Sequence, residues 1–208
     1  TDEWLEENSE KYKLEYYVDK NDIPLGIGGG MNYCAERVET EYINFLHSDF
    51  YVTKDWDKAL MDIHLKYPTE DLWVNSHRVE PNIEDWATDF KEMNVGMEIP
   101  KGEGVSGLVK KSVWDKVGGN DPRFAPTSWD DMDLFLRMLQ VNVRFILPAN
   151  SLVWHFGARG SHRLEENQGA SSERQKQAER DNAKKWLDKW GKMPTFDEYG
   201  MIINEIVS

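Results

Sequence analysis

The sequence is nearly devoid of cysteine: Cys34 stands alone among 208 residues. No intrachain disulfide can form, which fits a reducing compartment and sets a cytoplasmic location as the expectation. No apolar run approaches the ~20 residues of a membrane span, and the opening residues do not read as a signal peptide. Basic residues are also short in number, 25 Lys and Arg against 38 Asp and Glu, for a net charge of −13. A surface that acidic argues against nucleic acid as a partner, because phosphate backbones are met by basic faces. Internal repeats and low-complexity tracts are missing as well.

What is present is an ordinary apolar content with nine Trp, and aromatic rings suit both cores and sugar-stacking surfaces. The length allows one sizeable domain with an appendage. The stretch EYINFLHSDFYVTKDW (41–56) organises the rest. Its apolar run Tyr42, Ile43, Phe45, Leu46 predicts a strand buried on both faces. The strand stops at His47-Ser48-Asp49, where i and i+2 side chains of an extended chain point the same way. Thr53 is then placed to cap a helix starting near Lys54.

Around this stretch, Asp2–Lys13 reads as a short surface helix and Leu14–Asp19 as a strand. Gly26, Gly28, Gly29 and Gly30 read as a loop opening a helix over Met31–Val38; it matches neither phosphate-binding fingerprint. Trp56, Leu60 and Ile63 fall at helical spacing, with His64 bordering the stripe as a structural residue. Asp71–Val79 reads as a strand and 80–104 as an irregular insertion. Ser106–Lys110 is a short strand, and Ser128–Gln140 is the best amphipathic helix. Two extended segments follow, ending at His155. Residues 1–170 are expected to form the main domain, with 171–208 a helical extension packed on it. Alternating strands and helices predict an α/β fold, a mainly parallel sheet with helices on both faces.

Three groups lie at strand ends or a helix start: His47 with Asp49, Asp130 with Asp131, and His155. Ligands of open α/β sheets bind at the carboxyl ends of the strands. Carboxylate plus imidazole suits a divalent ion such as Mn2+ or Mg2+, and two such ligands with a diphosphate would complete an octahedral site. An acidic protein can bind a sugar nucleotide in this way, the cation standing between its carboxylates and the diphosphate. Each group has a plainer alternative. An Asp after a strand forms turns, a strand-end His is satisfied by a carbonyl, and Ser128-x-x-Asp131 before an apolar stripe is a capping-box pattern.

The order EYINFLHSD, SGLVKKSVWDKVGGNDPRF, SWDDMDLFLRM, VWHFG and KWG resembles the inverting, family-2-like glycosyltransferases of GT-A fold, across residues 2 to about 191. The resemblance implies transfer of a sugar from a nucleotide-diphosphate donor to a hydroxyl of a glycan or polysaccharide acceptor, as in cell-surface glycan biosynthesis. It implies that Asp49 is the metal-binding second acid of Asp-x-Asp, and His155 a later metal ligand. His47 stands where the family has the first acid, as a metal or ribose contact. Asp131 corresponds to the catalytic base, preceded by Asp130. Gly30 and Asn32 match a Gly/Asn loop by the nucleotide. Arg159 and Arg163 fall in a loop that closes over the diphosphate, and Trp129 is a candidate to stack on the acceptor sugar. The family's opening strand-helix-strand has no counterpart here, so a truncated form is expected. An exposed sheet edge would then invite a homo-oligomer. The competing expectations are a non-catalytic module that binds a glycan or partner, and a nucleotidyltransferase.

Overall fold

Leu72, Trp73 and Val74 are fully buried. Successive strand residues point to opposite faces, so this strand needs cover on both. The computed structural model, which describes residues 2–18, 20, 25–79, 98–99, 106–148, 150–155, 173–196 and 202, provides that cover. Its strands are β1 (Tyr42–Phe45), β2 (Phe50–Val52), β3 (Leu72–Val74), β4 (His77–Val79), β5 (Glu98–Ile99), β6 (Gly107–Lys110), β7 (Arg144–Pro148) and β8 (Leu152–His155). Its helices are α1 (Asp2–Tyr12), α2 (Gly26–Ala35), α3 (Trp56–Lys66), α4 (Lys111–Val117), α5 (Asp130–Gln140) and α6 (Glu173–Trp190).

Five strands form one sheet in the order β1-β6-β3-β7-β5. Trp73, Val109, Phe145 and Ile43 pack on one face against Val113 and Trp114 of α4, Leu134, Phe135 and Met138 of α5, and Trp186 of α6. Leu72, Val74, Leu108 and Ile146 pack on the other against Leu60 and Ile63 of α3. His64 of α3 is 1% exposed, its Nε2 lies 3.1 Å from the Leu108 carbonyl, and burial lowers its pKa. It is a core histidine.

A second sheet, β2-β8-β4, continues from the first. The pair β3·β7 is parallel, and so is β4·β8, so the same two chain segments run side by side through both sheets. The junction is tied by Asn75 N–H to Ile146 O (3.0 Å) and His77 N–H to Ser151 O (2.6 Å). Buried Ser151 also donates to the Trp56 carbonyl (2.8 Å) and lies 2.8 Å from the Ser76 hydroxyl. The second sheet therefore stands beyond the carboxyl ends of β3 and β7.

The α/β class holds, while the strand directions are more mixed than expected. β6 runs antiparallel to both β1 and β3, β5 antiparallel to β7, and β2 antiparallel to β8. Helix–strand alternation does not reveal direction where a strand is reached through a long irregular segment. β1 lies at the end of the strand order, so it is buried on alternate residues only, Ile43 and Phe45, with Asn44 and Leu46 exposed. The expected strand over 71–79 is two strands split at Asn75–Ser76. Residues 14–18 form no strand, because no ladder partner among the described residues receives them. The glycine run is the first half of α2 rather than a loop. A Cβ at Gly28 would stand 2.9 Å from the Asn120 Cβ and 3.3 Å from an Asp130 carboxylate oxygen, so glycine there serves close packing. Thr53 does not cap α3: its hydroxyl donates to Leu152 O at 2.8 Å, and the helix begins at Trp56 behind Asp55. The expected insertion over 80–104 lies outside the described residues except for β5.

Leu60 has no exposed surface. Leu60→Ala removes its contacts on the α3 face and is expected to lower unfolding stability by about 2–5 kcal/mol with an unchanged denaturant slope, as read by urea titration.

Candidate active site at the carboxyl edge of the sheet

The β2·β8 ladder sets Phe50 opposite His155. Asp49 precedes β2 in a turn closed by Phe50 N–H to His47 O at 3.3 Å. This arrangement brings Asp49 and His155 together: the His155 Nε2 lies 3.2 Å from an Asp49 carboxylate oxygen, with side-chain exposures of 17% and 40%. His47 is held differently from the expectation. Residues 47–50 turn instead of running extended, so the i and i+2 side chains are not aimed together by a strand. The His47 ring stacks on Phe50 at 5.2 Å, and Phe50 meets His155 edge to face at 5.0 Å. Phe50 thus touches both imidazoles, and Asp49 reaches His155 directly.

Asp130 and Asp131 open α5. That helix turns into β7 through Val143 N–H to Met138 O (3.0 Å), so helix and strand run oppositely. The two acids therefore lie toward the edge where β7 ends and β8 begins. The expected Ser128–Asp131 capping box is not formed. Ser128 and Trp129 both take left-handed backbone, with φ of 75° and 71°, and Trp129 at the cap position makes no side-chain capping bond. Two consecutive non-glycine residues there cost roughly 1–2 kcal/mol each. Asp131 accepts instead from the Met132 N–H at 2.8 Å. Asp130 is 7% exposed, and burial, reinforced by the charge of Asp131, pushes its pKa up to about 6.

The other candidates separate into two groups. Asn32 is engaged with the turn after α4: its Nδ2 donates to Asn120 O and its Oδ1 accepts from Asn120 N–H, both at 2.8 Å. Gly118, at φ 78°, ends α4 and shapes that turn. Gly30 lies inside α2 with open space where a side chain would be. Trp129 tilts against Trp186 at 5.6 Å and donates its indole N–H to the Glu179 carbonyl at 3.1 Å. Arg159 and Arg163 lie outside the described residues. Among the described residues there is no cluster of three or more His, Cys, Asp or Glu able to hold a metal, and no helix long and apolar enough to cross a membrane.

Sequence reasoning missed the residues that hold the acids in place. Asp133 has no exposed surface and is met by Arg137 Nε (2.9 Å), Lys189 Nζ (2.5 Å) and the Trp190 indole (2.9 Å). Lys189 also reaches Asp121 at 2.8 Å. Burial opposes ionisation of Asp121, but its bonds to Arg123 and Lys189 outweigh that and hold its carboxyl well below the usual range. Asn182, 1% exposed, donates to the carbonyls of Phe124, Thr127 and Ser128 at 2.7, 2.8 and 2.9 Å. A signal for Asn182 exists in the sequence: it falls four residues before Trp186 and eight before Trp190, in phase with the apolar stripe, where an amide needs partners.

No known family's profile matches the chain, and no curated protein matches it. Solved structures do. GalNAc-T7, crystallised with UDP, GalNAc and Mn2+, superposes with a TM-score of 0.61 over 95% of this chain and 40% of its own, at 14% identity. TarS of S. aureus superposes at 0.52 for its residues 1–349, over 74% of this chain and 47% of its own, and at 0.51 for a longer form, of which 28% is covered; identity is 14% in both. The chain thus spans less than half the length of each. At that identity the likeness establishes the fold, which is that of GT-A-type glycosyltransferases.

The raised pKa of Asp130 makes stability depend on pH with a definite sign. Its folded value lies above the unfolded value of 3.8. The folded state therefore holds the proton more tightly, and the contribution is complete below 3.8 and lost as pH rises toward about 6. Asp130→Asn is expected to abolish that fall and to be the more stable form above pH 6, by about 2–3 kcal/mol. Unfolding free energies of both proteins measured from pH 3.5 to 7 check this; parallel curves refute it.

Proposed function

We propose that this chain, built on a glycosyltransferase fold, transfers a sugar from a nucleotide-diphosphate donor to an acceptor hydroxyl with inversion, in a metal-dependent reaction. The observation that carries the reading is the meeting of Asp49 and His155 beyond the carboxyl edge of the sheet, 3.2 Å apart and partly open to solvent. Adjacent ligands of an octahedral ion at its usual bond lengths stand about 3 Å apart, so this spacing fits one shared cation. A carboxylate oxygen and an imidazole nitrogen are donors that suit Mn2+, with Mg2+ as the harder alternative. Asp49 and His155 would hold the ion, and water and the donor's diphosphate the remaining positions. When bound, the ion supplies charge neutralisation for the leaving diphosphate.

The acids do the proton chemistry. Asp131 takes the proton of the acceptor hydroxyl as its oxygen forms a bond to the anomeric carbon. The bond from that carbon to the diphosphate breaks on the opposite side, and configuration inverts. Asp130, buried against Gly28, cannot meet substrate as readily, and burial together with the charge of Asp131 pushes its own pKa up to about 6. The glycan class of acceptor accords with the resemblance of the motifs and with the fold.

Calorimetric titration of the protein with MnCl2 and a panel of nucleotide sugars, including UDP sugars, tests the donor side. Binding that requires the metal and is abolished in Asp49→Ala supports the reading. No binding to any donor favours a non-catalytic glycan-binding module instead. On the acceptor side, Asp131→Asn is expected to lower turnover by about 10²–10⁴-fold while donor affinity is kept. Unchanged turnover removes Asp131 as the base.

A further inference from the structure

We propose that Asn182, on the C-terminal helix, is a positioning residue that sets the backbone from which Asp130 and Asp131 are presented; this rests on the transferase reading of that site. The argument begins with the strained pair. Ser128 and Trp129 both hold positive φ immediately before the two acids. Such backbone persists only where its surroundings over-determine it. Trp129 at the cap position makes no side-chain capping bond, and the Asp131 carboxylate reaches forward to the Met132 N–H rather than back to the pair.

Asn182 supplies it from α6. Its amide nitrogen faces the carbonyls of Phe124, Thr127 and Ser128 at 2.7–2.9 Å, gathering the start and end of the turn onto one buried donor group. Its orientation is fixed in turn by Lys185, whose ammonium donates to the Asn182 Oδ1 at 2.8 Å and to the Arg123 carbonyl at 2.7 Å. One helical turn earlier, the Glu179 carbonyl takes the Trp129 indole N–H at 3.1 Å. Both halves of the left-handed pair are therefore held by α6: Ser128 by its carbonyl, Trp129 by its ring. Removing the amide leaves three carbonyls facing each other without a donor. The turn then relaxes toward ordinary backbone, and the orientation of the two acids changes with it.

The test compares Asn182→Ala and the isosteric Asn182→Asp, which lacks the N–H donors, with Leu60→Ala as a control that weakens the fold from the opposite face of the sheet. In transfer assays the expected result is a fall in kcat of about 10²-fold for both Asn182 variants, with donor KM unchanged and with Leu60→Ala retaining wild-type kcat. Equal kcat for the Asn182 variants and the control overturns the proposal. The carboxyl titration of Asp130, followed by carbon NMR, reads the same claim without activity: its midpoint is expected to fall in the Asn182 variants and stay in Leu60→Ala. An unmoved midpoint overturns the proposal whatever the assay shows. A wild-type protein that transfers no sugar, combined with a moved midpoint, sinks the transferase reading and leaves the restraint standing. Should neither variant fold, amide exchange in the wild-type protein decides: protection of the Asp133 N–H, which donates to the Trp129 carbonyl at 3.1 Å, matching that of 183–186 supports the restraint, and free exchange there refutes it.

Discussion

A carboxylate sealed from water, Asp133, is the constraint on which the second half of the molecule depends. An ionised group in that position is tolerable only if every lone pair is answered. Arg137 answers from its own helix, and Lys189 and Trp190 answer from the last turn of α6. Lys189 extends the arrangement to Asp121, at the head of the loop that leads into the acids. Helix α6 cannot leave α5 without stranding this charge. The loop, the helix bearing Asp130 and Asp131, and the C-terminal helix consequently behave as one body, and the C-terminal segment belongs to the site's framework.

The other side of the candidate site is built on the opposite principle. Asp49 and His155 face each other with part of their surface in water, where a polar contact of this kind contributes at most about 1 kcal/mol. A pair that weak is readily opened by anything both groups prefer. The buried network around Asp133 resists rearrangement, and the pair at the β2·β8 edge offers little resistance. Rigidity near the acids and compliance near the imidazole suit a site in which one component must be aimed and another admitted.

How much of this was legible in the sequence follows from how local each feature is. The strands at Tyr42–Phe45, Leu72–Val74 and Arg144–Pro148, the α3 and α5 stripes, and the placing of Asp49 and His155 after strands all rest on patterns within a few residues, and they could be read; which faces of β1 and β3 are covered could not, because that depends on the elements packed against them. The direction of β6 could not, because it depends on the path of a segment whose pattern is irregular. The glycine run was misjudged because glycine signals both turns and tight packing. Only the opposing Asn120 and Asp130 show which applies at Gly28. The capping pattern at Ser128 failed for a similar reason: contacts from α6, more than fifty residues later, override the local preference. Asn182 was visible as an amide in an apolar phase, but its partners are backbone carbonyls, which leave no trace in residue identity.

The β2·β8 ladder carries one more consequence. It is three residue pairs long, and Thr53 fastens its far end by donating both its amide and its hydroxyl to Leu152 O. Because side chains alternate along a strand, sliding β8 by a single position would turn the imidazole of His155 to the reverse side and set Trp154 in its place. One threonine clasp thus acts as a stop against misalignment. A chain that lost it could keep every strand and helix and still assemble with its two prospective ligands looking away from each other.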